Sequence, residues 1–571
     1  MPERINRRDV CRRLAAGLAV AGQPFAGEAS GAAGKIPSIR SMSLEDKIGQ
    51  LICGRMTPKD VNGAEDLAAK GRAGSFIGLL ASLGSARAAA EFLNHLQSVS
   101  KYPLLFVGEQ EHGSHLNFAG GTEFPAYMAF GAARSRELAY LFGKINTLEG
   151  RAVGYNWISC PTLDVNIEPS NPIINTRSLG EQPELVTELG VESCRGIVEN
   201  RGLTCICHYP GHGATSRDSH VELPTVHRTR AELEAVELAP YRAGIRAGYM
   251  NCIMTAHNYY PALEPVPGLP ATLSRNIITG VLREQLRYKG LVATDSLGMK
   301  AVSANYSPGD MAFKAVAAGC DILLAPDIDA ASATLKQAVE SGKLPMSQLD
   351  ASVSRIIQAK RWLGLFEKSS VDAGAVDGIV GRSEHKAAAR RVAREAVTVL
   401  RREGMPLDRS RGILVIAAAE WGDLGPPQPN ANELFVEEVR KRQPGAKAVL
   451  VEEKKDTWQA ALTAARNADA VILAVSSRIR SYAADSLRIN EDILEQARKL
   501  AALGKHVSLV VMDNPYVVKS FPDMPVCLCT YSSCPDSVTA AVEVLFGEFK
   551  PVGRLPVTVS DRYKYGFGLV G

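Results

Sequence analysis

No stretch of this 571-residue chain approaches twenty consecutive apolar residues, the length a helix needs to cross a bilayer. Neither sign of charge dominates: 65 basic side chains are interspersed with 61 acidic ones, so there is no basic face of the kind that tracks a nucleic-acid backbone. Nucleic acid is therefore not an expected partner. Cysteine occurs eleven times but never as CxxC, which removes a common signature of structural zinc. Most of the cysteines lie inside apolar runs such as LTCIC, NCIM and VCLC, where a thiol behaves as a small buried hydrophobe and not as part of a disulfide framework. The GDLGPP turn at 422–427 lacks the GxGxxG dinucleotide fingerprint, so no dinucleotide site is expected there.

What is present begins with NRRDVCRRLAAGLAVAGQPFAGEAS, with adjacent Arg7 and Arg8, a short apolar run from Leu14 to Gly22, and small residues near Ala26. Residues 1–33 read as a twin-arginine-like export signal and linker, which places the mature protein in the periplasm or outside the cell. From residue 38, short β-branched runs alternate with helical patterns, the signature of βα units on a parallel sheet. Eight runs occur: LICGRM (51–56), SFIGLLA (75–81), LLFVGEQ (104–110), NWISCPTLDV (156–165), LTCICHY (203–209), CIMTAHN (252–258), LVATDS (291–296) and DILLAP (321–326). Eight is the strand number of a (β/α)8 TIM-type barrel, expected over 38–366. FEKSSVDAGAVDGIVGRSE (366–384) reads as a linker, followed by a helix from His385 to Thr398, so that 367–395 joins two domains. Five further apolar runs, from ILVIAAA at 413 to VCLCTYS at 526, predict a parallel sheet covered on both faces, a three-layer α/β/α sandwich over 396–571.

Several barrel runs end in reactive side chains: Glu109, Asp164, His208, His257 and Asp295. Strand ends at the C-terminal face of such a barrel converge on one mouth. Asp295 in TDSLGMK suits a nucleophile, a base or a ligand, and equally the N-cap of the helix that follows. The loop CHYPGHGATSRDSH (207–220) holds His208, His212, Asp218 and His220. Asp218 and His220 are two apart, so an extended segment puts both on one side, where the carboxylate fixes the imidazole tautomer and makes a proton shuttle. A surface turn with Asp218 capping an amide accounts for the same spacing. Pro210, Gly211 and Gly213 interrupt the helical presentation of a metal-binding HExxH helix, so neither a metal nor any other cofactor is expected.

CHYPGHGATSRDSHVELP resembles the KHFPGHGxTxxDSHxxLP signature of glycoside hydrolase family 3, in its N-acetyl-β-glucosaminidase branch, and TDSLGMKAV is similar to that family's catalytic-aspartate segment. MSLEDKIGQL, NPIINTRSLGEQPELV, IMTAHNYYPAL, PATLSRNIITGVLRE and VLFGEFKPVGRLPVTV extend the likeness, in order, over nearly the whole mature chain. The resemblance implies a retaining glycosidase acting on a carbohydrate or glycoconjugate such as chitin or peptidoglycan fragments. In it Asp295 is the nucleophile, His220 the acid/base, and Asp218 the residue that orients His220. Arg177, His208 and His257 match sugar-pocket positions.

Three positions depart from the family pattern. Cys207 replaces a lysine, Glu109 an aspartate and Asn117 an arginine, all at expected sugar contacts. These departures leave room for another family 3 specificity (β-glucosidase, β-xylosidase or a phosphorylase), since EHG at 111–113 is similar to the DAxHG of that branch, or for a carbohydrate-binding protein with lost turnover. From the second domain, Asn430, Arg478 and Asp485 are candidate contributors to the pocket.

Overall fold

The apolar runs of the first half become short strands buried in a closed sheet. In the computed structural model, which describes Phe25, residues 36–419, 431–451 and 455–479, Leu487 and residues 489–571, these strands are β1 (Ile52–Arg55), β2 (Ser75–Ile77), β3 (Leu105–Glu109), β4 (Trp157–Ser159), β5 (Leu203–Thr204 and Ile206–Tyr209), β6 (Cys252–Thr255), β7 (Leu291–Ala293) and β8 (Leu323–Leu324). Each pairs in parallel with its sequence neighbour from β1 to β7. A single bridge, Ala293 to Ile322, joins β7 to β8, and β8 returns to β1. Closure leaves no strand edge unpaired, the condition a barrel satisfies. The export segment at 1–33 lies outside the described residues apart from Phe25.

Two boundaries differ from the sequence reading. Leu51 ends the helix Leu44–Leu51 and does not open β1. The fourth run is a strand only over Trp157–Ser159, because Pro161 has no amide hydrogen to continue the ladder. The chain nevertheless runs on beside β5 through a Thr162–Cys207 bridge, which carries Asp164 to the mouth on a loop. Outside the barrel, the helices Arg136–Val153 and Pro183–Glu199 pack closely because small residues face each other. A Cβ on Gly143 would lie 2.1 Å from the Ser193 carbonyl oxygen, and one on Gly196 2.2 Å from that of Tyr140.

The second sheet has the order β9 (Thr398–Arg402), β14 (Val526–Cys529), β13 (His506–Asp513), β12 (Ala470–Ser477), β10 (Ile413–Ala419) and β11 (Lys447–Val451). Five strands are parallel, but β9 runs antiparallel to β14 at the edge. That edge strand was not expected: a helix was read from His385 to Thr398, whereas the helix spans Ser383–Ala396 and Thr398 already belongs to β9. Alternation along β10 explains the three layers. Leu414 and Ile416 pack with Trp458 and Leu500 on one face, while Val415 and Ala417 pack with Phe435 and Val538 on the other.

Candidate active site

The loop after β5 is bent by Pro210 and pressed onto its neighbour. A Cβ at Gly213 would lie 1.9 Å from the Val165 carbonyl oxygen, so only glycine fits there. Further along, Asp218 is buried, and its Oδ1 accepts both the backbone amide of His220 at 2.8 Å and the His220 Nδ1 at 2.7 Å. The carboxylate thus fixes Nδ1 as the protonated ring nitrogen of a half-buried imidazole. Two backbone bonds attach this loop to the segment after β7: Ala301 N–H donates to the Ser219 carbonyl at 3.2 Å, and Lys300 N–H to that of His220 at 3.4 Å.

That same segment carries Asp295, which is not a helix cap. The helix Lys300–Ser303 starts after Met299 with no side-chain cap, and Asp295 Oδ1 accepts instead from Ser296 N–H at 2.6 Å. Burial pushes the Asp295 carboxyl upward, but the imidazoles of His257, His208 and His220 and the Ser296 amide outweigh it and hold the group below the usual carboxylate range. His257 is itself pushed down by burial against the pull of Asp295. His257 Nε2–H donates to the Ser296 carbonyl at 3.0 Å, and its Nδ1 meets the Thr272 hydroxyl at 2.8 Å. Both ring nitrogens thus have protein partners, one of them in the Asp295 turn.

His208 supplies a full positive charge. Burial opposes it, yet Cys207 and the Asp164 carboxylate, 2.7 Å from Nδ1, raise the imidazole to about 9. Asp164 also accepts the His212 backbone amide at 2.6 Å. His212 Nε2 meets Ser219 Oγ at 3.0 Å, so the histidines of the loop have different partners and His212 serves the loop's shape. Arg177, held by the turn Asn175–Arg177, lays its Nε and Nη2 on Glu111 at 2.7 Å each and its Nη1 on the Ile173 carbonyl at 3.1 Å.

The three departures from the family pattern sort themselves differently in space. Glu109 lies at the end of β3 where water reaches it, deep in the mouth, and burial together with Glu111 pushes its carboxyl upward while Arg177 and Arg55 oppose. Asn117 is fully buried and is not a sugar contact. Its Oδ1 accepts the Glu109 amide at 2.8 Å and its Nδ2 donates to the Glu109 carbonyl at 2.7 Å. It clamps the Glu109 backbone as a neighbouring strand would. Cys207 is likewise buried, its thiol 3.4 Å from the Cys205 carbonyl and 3.7 Å from the Met254 sulfur.

Sequence reasoning missed Glu111 and Arg55. Glu111 could have been found from the same strand-end rule, two residues beyond Glu109. From the sandwich, Arg478 lies 3.9 Å from Asp513 and acts on His112, which burial first pushes down, and Ile479 packs on Ile173 and Ile174 beside Arg177. The second domain therefore buttresses this face of the mouth. Asn430 and Asp485 lie outside the described residues.

Comparison with known proteins agrees with this architecture. Residues 43–359 match the glycosyl hydrolase family 3 N-terminal domain and residues 304–566 its C-terminal domain. Beta-hexosaminidase A of Pseudoalteromonas piscicida is 33% identical over 333 residues, 54% of this chain and 55% of that protein. The chain thus spans about half the length of that relative. Beta-N-acetylglucosaminidase/beta-glucosidase of Cellulomonas fimi is 28% identical over 68% of this chain and 70% of that one. A family 3 beta-N-acetylglucosaminidase structure from Paenibacillus superposes with a TM-score of 0.81 at 30% identity, covering 91% of this chain and 99% of the other. The barrel with its carboxylate-bearing mouth, the sandwich behind it and both domain matches belong together: this chain is a member of glycosyl hydrolase family 3.

Proposed function

We propose that the protein is a retaining exo-glycosidase that removes terminal non-reducing N-acetyl-β-D-glucosaminyl residues from chitin- or peptidoglycan-derived glycosides. The observation that carries this reading is the half-buried Asp295 carboxylate, held below the usual carboxylate range in a turn laced by backbone bonds to the loop of the Asp218–His220 pair. In the first step an Asp295 oxygen bonds to the anomeric carbon as the glycosidic bond breaks. The His220 imidazolium gives its Nε2 proton to the departing oxygen. In the second, water attacks the same carbon, neutral His220 takes the water's proton, and the ester to Asp295 breaks.

Most retaining glycosidases use a second carboxylate for this proton transfer. Here an imidazole avoids placing another anion beside Asp295, Glu109 and Glu111. Asp218 orients it through the Nδ1 bond. His208, Arg177 and Glu109 would hold the sugar hydroxyls, with contacts that strengthen as charge develops at the anomeric carbon.

The barrel unit (38–366) would supply the chemistry and the sandwich (396–571) the far wall. Arg7 and Arg8, followed by the short apolar run, support export to the periplasm or beyond. Among the described residues no helix is long and apolar enough to cross a membrane.

A panel of nitrophenyl glycosides, assayed with and without phosphate, tests the reading. Release from the N-acetyl-β-glucosaminide in phosphate-free buffer supports it. Turnover of only the β-glucoside or β-xyloside overturns the sugar assignment, dependence on phosphate overturns hydrolysis, and calorimetric sugar binding without any product overturns the enzyme.

A further inference from the structure

The mouth has a cation that the family-like motifs do not mark. Arg55 ends β1, where the register places it level with Ile77 of β2 and, through Ile77, with Val107 of β3. Glu109 lies two residues beyond Val107, so it has the same facing as Arg55 and sits one pleat nearer the rim, about 7 Å along the strand direction. Arg55 is exposed to solvent, and its Nη2 donates to Ser296 Oγ at 3.3 Å. Ser296 is already the residue whose amide meets Asp295 and whose carbonyl meets His257. Arg55 thus stands between the Asp295 turn and Glu109, with five N–H donors and, among the described residues, no carboxylate within ion-pair distance.

Charge balance gives this placement a consequence. Glu109 faces Glu111, Arg177, Arg55 and Asp295. Arg177 is already committed to Glu111 through two bonds, and the Cys207 thiol, buried against a carbonyl and a thioether, supplies no cation. Removing Arg55 would leave Glu109 near two other carboxylates with one cation already spoken for. We propose that Arg55 is a substrate-contacting residue of this site, its guanidinium joining Glu109 in holding hydroxyls of the bound sugar and taking over the role of the cation that Cys207 does not supply. The proposal rests on the glycosidase reading above.

The test uses R55Q and R55K in the full chain, each also combined with D295N so that sugar binding is measured without turnover. Calorimetry with N-acetylglucosamine and with glucose should show R55Q/D295N binding the preferred sugar roughly tenfold more weakly than D295N, the scale for losing a charge-assisted contact, with R55K/D295N within about threefold. In steady-state assays the R55Q loss should fall on KM more than on kcat. Its acid limb of kcat/KM should move to higher pH as Glu109 loses a neighbouring positive charge. Binding within about twofold of D295N overturns the proposal. So does a loss confined to kcat with an unmoved acid limb, which is what a mere prop for Ser296 would give. If the wild type turns over no glycoside, the glycosidase reading fails while the calorimetric arm still reports on Arg55. If D295N binds neither sugar, both fall.

Discussion

The amide of Ala301 donates to the carbonyl of Ser219 at 3.2 Å, tying the middle residue of the Asp218-Ser219-His220 loop to the helix that follows Asp295. Two segments some eighty residues apart in sequence are thereby held in one frame. A nucleophile and its proton donor need such a frame, since misplacing either by about 1 Å costs on the order of a hundredfold in rate.

Asp295→Ala should lower turnover by about three orders of magnitude or more without unfolding the chain, because no other carboxylate occupies its turn. Undiminished release of nitrophenol would remove Asp295 as nucleophile.

His220→Ala should slow glycosides with poor leaving groups by about 10²–10⁴-fold and activated nitrophenyl glycosides much less, since only the former need a proton on the departing oxygen. Equal slowing across a leaving-group series would take the acid role from His220. Asp218→Asn should follow the same pattern with a smaller amplitude.

Asn117→Ala should act through Glu109. Losing both bonds to the Glu109 backbone leaves buried groups unsatisfied, at about 1–3 kcal/mol each. The urea midpoint should fall and KM rise together, while a change in neither would show that the clamp is redundant.

His208, raised to about 9 against burial by Cys207 and Asp164, should remain protonated through neutral pH. Its folded value lies above the ordinary histidine value of about 6.5, so its stabilising contribution is complete below about 6.5 and is lost as pH rises through about 9. Nitrogen NMR of the imidazole should show the high titration, and Asp164→Asn should bring it down. An unchanged titration in that variant would break the assignment.

Lys360 lies fully buried, its Nζ 2.6 Å from Gln50 Oε1, and burial pushes it down to about 7. An unfolded lysine titrates near about 10.4, so the unfolded chain binds the extra proton between those values and stability falls as pH drops through that window. The thermal midpoint of wild type, measured relative to Lys360→Met, should decline from pH 10 to pH 7. A constant difference across that range would show that the lysine is charged throughout.

How much of this was legible beforehand differs residue by residue. Asp295, Asp218 and His220 lie in short contiguous motifs that carry the family resemblance, and a strand-end position is readable wherever an apolar run stops. Asn117 and His257 were assigned to the sugar because their side chains are polar and lie near the mouth in sequence. Only the hydrogen-bond partners show that those side chains are occupied by Glu109 and Ser296. The edge strand Thr398–Arg402 was lost because a helix runs into it after a single intervening residue, and five residues carry too little periodicity to outweigh fourteen.

The sequence by itself determined the two-domain α/β architecture, since apolar periodicity is a local property and buried parallel strands leave a mark in it. Tertiary structure alone decided which charges meet. Arg55, Glu109 and Ser296 come from three separate strand ends, and Arg478 approaches from the other domain. Ion pairing and desolvation depend on distances that closure of the barrel sets, and those distances have no counterpart in the spacing along the chain.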